Sequence, residues 1–189
     1  MKKAQQVKRR ERAMAWLRRL LVVIILGLLT VLLLPWSGLR WVGGHGHHRV
    51  WNEVANLKNA IKQYEYDYQE LPLPMTSKGM DYCRMESDEW LMAILMGRAN
   101  GEKLNPRGSR YYEGIDSREG VNGLLWSGAE PNERVRLVDA WGRMYQIVID
   151  ADGDGYAMLP DGTRVEGGVA VYSLGEDGVF DAKRDPVSW

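Results

Sequence analysis

Cysteine and histidine, two of the side chains most used for metal binding and nucleophilic chemistry, are nearly missing from this chain. Cys83 is the only cysteine in 189 residues, which excludes an internal disulfide and any cysteine-cluster metal site. A lone thiol is more often a small buried apolar group than a nucleophile. The three histidines, His45, His47 and His48, all fall in one short glycine-rich stretch. There is no G-x-S-x-G, no Walker loop and no H-E-x-x-H. Acidic residues are plentiful, but they fall in predicted turns rather than on facing strands of a cleft, which argues against glycoside hydrolysis. The chain reads as a non-enzyme without a small-molecule substrate.

Net charge is missing too, since 25 Lys and Arg balance 25 Asp and Glu. The balance hides an asymmetry. Residues 1–19 carry eight basic side chains against Glu11 alone, a net +7, so the remainder is −7. A basic block of this kind can bind nucleic acid, but directly before an apolar run it is expected to set membrane topology, with no nucleic-acid partner.

That run is Leu20–Leu34, fifteen uncharged residues. As a helix it reaches only ~22 Å against a ~30 Å hydrocarbon core. Extension to Met14 and Leu39 closes the gap if Arg18 and Arg19 snorkel to the headgroups. Trp16, Trp36 and Trp41 stand where interfacial aromatics belong. A cleaved signal peptide would show small residues at the cut, whereas Leu34-Pro35-Trp36-Ser37-Gly38 has no A-x-A pattern, so a retained single-pass anchor is expected. The positive-inside rule then places the N-terminus in the cytoplasm and the acidic part across the inner membrane, in the periplasm of a bacterium. The expected division is a basic segment 1–19, a transmembrane helix 20–39, a Gly/His-rich linker 40–49 and an outer domain 50–189. In that linker, three imidazoles within four positions could bind a transition metal, but glycines do not hold them at coordination distance, so a solvated hinge is favoured.

Val50, Val54, Leu57, Ile61, Tyr64 and Tyr68 recur at alternating spacings of four and three, one stripe of an amphipathic helix. Leu71-Pro72-Leu73-Pro74 should end it. Ser87-Asp88-Glu89 reads as a helix start before Trp90, Leu91, Ile94 and Leu95, with Gly97 as the stop. Residues 100–133 read as irregular, with a turn at Asn105-Pro106-Arg107-Gly108 and one short strand. Met144–Ile149 predicts a strand, Asp150–Gly155 a turn, Tyr156–Leu159 the returning strand and Val169–Ser173 a third. The expected fold class is α+β: an N-terminal transmembrane helix, then an amphipathic helix packed on a small antiparallel sheet with irregular acidic loops.

Two acidic clusters are candidate cation sites. Asp150, Asp152, Asp154 and Asp161 fit the carboxylate spacing of a calcium loop, with aspartate where the usual bidentate glutamate stands. An EF-hand needs flanking helices, and Asp-Gly pairs also make hairpin turns without metal, so the plain turn is favoured here. The second cluster is Glu176, Asp177, Asp181 and Asp185, near the end of the chain. Carboxylates at this density need a cation or an arginine among them. Hard oxygen ligands point to calcium, whereas Lys183 and Arg184 offer neutralisation without metal; spacing alone leaves both open.

Four segments carry a family resemblance. Ile25-Leu26-Gly27-Leu28-Leu29 with Leu32 and Pro35 resembles the anchor of type IV pilin-like proteins, in particular the major pseudopilin of type II secretion. Asn56–Tyr64, then Asp67 and Pro72, is similar to that family's L-x-x-A-L-x-x-Y-x-x-D helix end. Asp139-Ala140-Trp141-Gly142-Arg143-Met144-Tyr145 is similar to its D-P-W-G-x-x-Y, and Ser173-Leu174-Gly175-Glu176-Asp177-Gly178 with Asp185 and Ser188-Trp189 to its C-terminal loop. Residues 73–138 match least. The resemblance implies a filament subunit anchored in the inner membrane, with other pilin-like subunits or secretion-machine proteins as partners. It also implies calcium at Asp177 and Asp185, with Asp181 and the Leu174 carbonyl as further ligands. At the front the chain departs from the pattern: Ala13 stands in place of the glycine before the peptidase cut, Met14 in place of the mature phenylalanine, and Arg18 in place of the glutamate that pairs with the processed amine. A second reading is therefore a permanently anchored, calcium-dependent periplasmic binding module with a pseudopilin fold.

Overall fold

A computed structural model describes residues 16, 19, 21, 24, 25, 45–77, 80–98, 103–129 and 133–189. The chain divides into two compact units, Met1–Val42 and Gly43–Trp189. In the first, Trp16, Arg19, Leu21, Ile24 and Ile25 are helical and exposed. The rest of the expected anchor lies outside the described residues. Among the described residues no helix is long and apolar enough to cross a membrane.

The second unit is α+β and opens with helix α1, His45–Tyr68. Five of the six residues of its expected stripe are buried, Val50, Val54, Leu57 and Ile61 fully and Tyr64 nearly so, with Ala60 added between them, while Tyr68 is half-buried. Covering such a stripe is worth roughly 10 kcal/mol gross, as an upper bound. The helix starts inside the stretch expected to be linker. Once one face of a helix is packed, each residue added to its end forms a hydrogen bond without a new nucleation cost, so Gly46 is carried along. His48 is exposed, while the side chains of His45 and His47 lie outside the described residues. At the other end Gln69 turns left-handed at φ 56°, its N–H donating to the Glu65 carbonyl, and the proline pair follows.

Strand β1, Tyr82–Glu86, comes next and was not expected, because Arg84 and Glu86 interrupt its apolar residues. Helix α2, Glu89–Leu95, begins where Asp88 accepts from the N–H groups of Trp90 and Leu91, the N-cap read from the sequence. It stops at Gly97, whose φ of +64° and contact with the Gly108 backbone both exclude a side chain.

Strand β2, Gly123–Ser127, is the short strand expected in the irregular stretch. Its partner β3, Arg134–Val138, was not. It alternates over its first four residues: Val135 and Leu137 are buried, while Arg134 and Arg136 point the other way, and Val138 at its end is buried as well. Strands β4, Gln146–Asp150, and β7, Val169–Tyr172, match expectation in place, and β5, Tyr156–Met158, nearly so.

The pairing differs from the expected hairpin. β4 is the centre of an antiparallel sheet in the order β1-β4-β7, while β5 pairs with β6, Arg164–Glu166, as a separate hairpin. The reason is burial of β4 on both faces. Ile147 and Ile149 join Val169 and Val171 in the core under α1, whereas Val148, Ala170 and Tyr172 face Ala157, Leu159 and Val165 of the β5–β6 hairpin. If β5 continued the ladder beside β4, it could not also cover that second face. Ser87 stitches the two sheets: its hydroxyl donates to the Leu137 carbonyl, and it accepts from the Tyr145 N–H.

Candidate metal centre

The turn leaving β4 is built around one carboxylate. Asp150 is buried, and its two oxygens accept from the N–H groups of Gly153 and Gly155, each at 2.7 Å. Burial alone would raise its pKa, but those N–H groups and the Asp152 side chain outweigh it and hold the carboxyl below its usual range. Asp152 accepts from the Asp154 N–H, and Asp154 from the Tyr156 N–H. These local bonds are those of ordinary Asx turns, and they fold the loop back on itself.

Folding back brings three carboxylates together. One oxygen each from Asp150, Asp152 and Asp154 lies within 4.8 Å of the others, so this group could hold a metal ion. Three all-oxygen donors of this kind suit a hard cation rather than zinc or copper. At such separations each like-charge pair repels by about 1 kcal/mol in water and more where solvent is excluded. Part of that charge is met by Arg164, which bonds the second Asp154 oxygen at 2.7 Å and lies over the Tyr156 ring. Asp161 does not join the group. It sits in the β5–β6 turn, accepting from the Thr163 N–H, so the loop lacks the closing ligand of a calcium-binding helix-loop-helix and is flanked by strands instead.

The C-terminal loop is arranged differently. Asp177 and Asp181 share one guanidinium: Arg184 donates to Asp177 at 2.9 Å and to Asp181 at 2.7 Å. Both carboxyls are held below their usual range, first by the N–H groups of Val179 and Lys183 and then by Arg184. Asp185 is buried and accepts from the Asp181 N–H at 2.6 Å. Its carboxylate packs where a Cβ on Gly175 would stand, which with φ +63° makes that position glycine. Leu174 packs beside the second core cluster. Asp177, Asp181 and Asp185 do not converge as Asp150, Asp152 and Asp154 do.

One relationship was not read from the sequence. Asp139 and Ser173, both fully buried, hydrogen-bond at 2.7 Å. The other Asp139 oxygen accepts from the N–H groups of Trp141 and Arg143, and the Arg143 guanidinium donates to the Gly175 and Glu176 carbonyls. The Asp139–Tyr145 and Ser173–Gly178 segments are thus one clamp. The sequence signal was the aspartate that opens the Asp139–Arg143 turn, and nothing local names its partner. No protein-family model, curated protein or solved structure matches this chain.

Proposed function

We propose that the chain is a pilin-like, membrane-anchored structural subunit, similar to the major pseudopilins of type II secretion. Residues 20–39 form its single-pass helix in the inner membrane, with the N-terminus cytoplasmic and the outer unit periplasmic. Its partners are other pilin-like subunits, and it catalyses no reaction. The observation that carries the reading is that the two family-like C-terminal segments, distant in sequence, close on each other through Asp139 and Ser173. Support also comes from a 24-residue helix lying on an antiparallel sheet. N-terminal sequencing and cysteine crosslinking in native membranes test it. A mature chain beginning at Met14, with ladders of crosslinked copies, is the expected result. An intact Met1 with uncrosslinked monomers would favour the second reading, a permanently anchored binding module, which Ala13 and Arg18 support.

Within the same proposal, a calcium-class cation enters at Asp150, Asp152 and Asp154. The place implied by the resemblance, Asp177, Asp181 and Asp185 with the Leu174 carbonyl, would require Arg184 to withdraw. A ligand that binds only the folded chain raises the melting midpoint. Millimolar calcium should therefore raise it, chelator should reverse the rise, and Asp152→Asn should abolish it while Asp177→Asn keeps it. The opposite pattern would move the site to the C-terminal loop, and an unchanged midpoint would remove the cation altogether.

A further inference from the structure

A cleft of about 310 Å3 opens along the seam between the two sheets, beside the Asp139–Arg143 turn. Two guanidiniums reach it, and they are not equivalent. Arg143 is spent on the Gly175 and Glu176 carbonyls. Arg136, opposite Leu125 in the β2–β3 register, makes no hydrogen bond or ion pair to any described residue, and its Nε is buried. Buried donors in native proteins are almost always matched, and a charged one more so. The buried, unmatched atom is Nε; the terminal nitrogens are not buried and are open to an incoming anion.

We propose that this cleft binds a carboxylate carried on a small apolar body, with Arg136 as its charged contact. Its size is at the lower end for ligand pockets. The apolar lining comes from Leu125, Val138, Met144 and Leu174. A single negative charge is the match. Only one guanidinium is uncommitted, and Glu86 also lines the cleft, held by the Gln146 side-chain amide. A phosphate dianion would meet that carboxylate; a monoanion can lie against Arg136 and away from it. The guanidinium fork suits carboxylate geometry, and a charge-assisted bond in this half-buried setting is stronger than a neutral one.

The test uses the full chain in nonionic detergent and ligand-observed saturation-transfer NMR. N-acetyl-leucine is the probe, N-acetyl-leucinamide the neutral control and inorganic phosphate the competing anion. Saturable binding of N-acetyl-leucine, absent for the amide and not displaced by equimolar phosphate, is expected. Arg136→Met, which keeps the aliphatic stem, should weaken it by about tenfold or more. Arg136→Lys should retain part of it, and circular dichroism would show that both variants keep the fold. Equal binding of acid and amide, stronger binding of phosphate, or unchanged affinity in folded Arg136→Met would each overturn the proposal. So would no saturable binding by about 10 mM.

Discussion

The Ser173 hydroxyl donates to the Asp139 carboxylate at 2.7 Å across 34 residues, inside a fully buried contact. Ser173 also accepts from the Gly175 N–H, so the same hydroxyl orders the loop it begins. Asp139 in turn receives two backbone N–H groups of its own turn. Three donors, the Ser173 hydroxyl and the N–H groups of Trp141 and Arg143, therefore converge on one carboxylate.

Asp139→Ala should accordingly destabilise the Gly43–Trp189 unit by roughly 3 kcal/mol or more, at ~1–3 for each stranded donor. Ser173→Ala, which strands only the carboxylate oxygen and the Gly175 N–H, should cost about two thirds as much. Urea unfolding of both variants, at constant m-value, checks the ratio. Equal costs would mean that the clamp does not act through Asp139.

Two glycines with nearly the same backbone angle separate conformational strain from steric conflict. Gly108 and Gly175 have φ +62° and +63°, but a Cβ on Gly108 meets nothing nearer than 3.9 Å, whereas one on Gly175 overlaps the Asp185 carboxylate. Gly108→Ala should cost about 1–2 kcal/mol for the left-handed backbone alone. Gly175→Ala should cost clearly more, and it should also release the Asp181 N–H, visible as faster hydrogen exchange there.

Acid should weaken the Gly43–Trp189 unit through Asp150. Its folded pKa lies below the ordinary 3.8, so it contributes stability above pH 3.8 that is lost as pH falls through the folded value. Asp150→Asn should lower stability at neutral pH and flatten the decline in this acid range. Melting midpoints of both proteins between pH 2 and pH 6 measure the slope. A parallel decline in the variant would assign the acid sensitivity to other carboxylates.

Arg184 is predicted to stand in for a cation. Arg184→Met leaves Asp177 and Asp181 without their shared guanidinium, two carboxylates close to buried Asp185. The variant should gain a calcium-dependent rise in melting midpoint beyond that of the unmodified chain, reversible by chelator. An identical rise in both would show that the loop cannot take the ion even when the arginine is gone.

What the sequence alone determined is what repeats locally or caps locally. The stripe from Val50 to Tyr64 follows from a period of 3.6, the Asp88 cap from one side chain reaching N–H groups two and three residues on, and the place of β4 from a short apolar run. The carboxylate turn at Asp150–Gly155 was legible for the same reason, and three of its four candidate ligands do converge. The tertiary structure alone decided the partners. β4 pairs with β1 and β7 rather than β5 because only that arrangement covers both of its faces. Arg184, rather than Lys183, takes Asp177 and Asp181, because the turn aims its guanidinium between them. Asp139 finds Ser173, and Arg136 is left without a partner among the described residues, through packing between segments far apart in the chain. Such contacts depend on which surfaces are buried together, and no window of neighbouring residues contains that information.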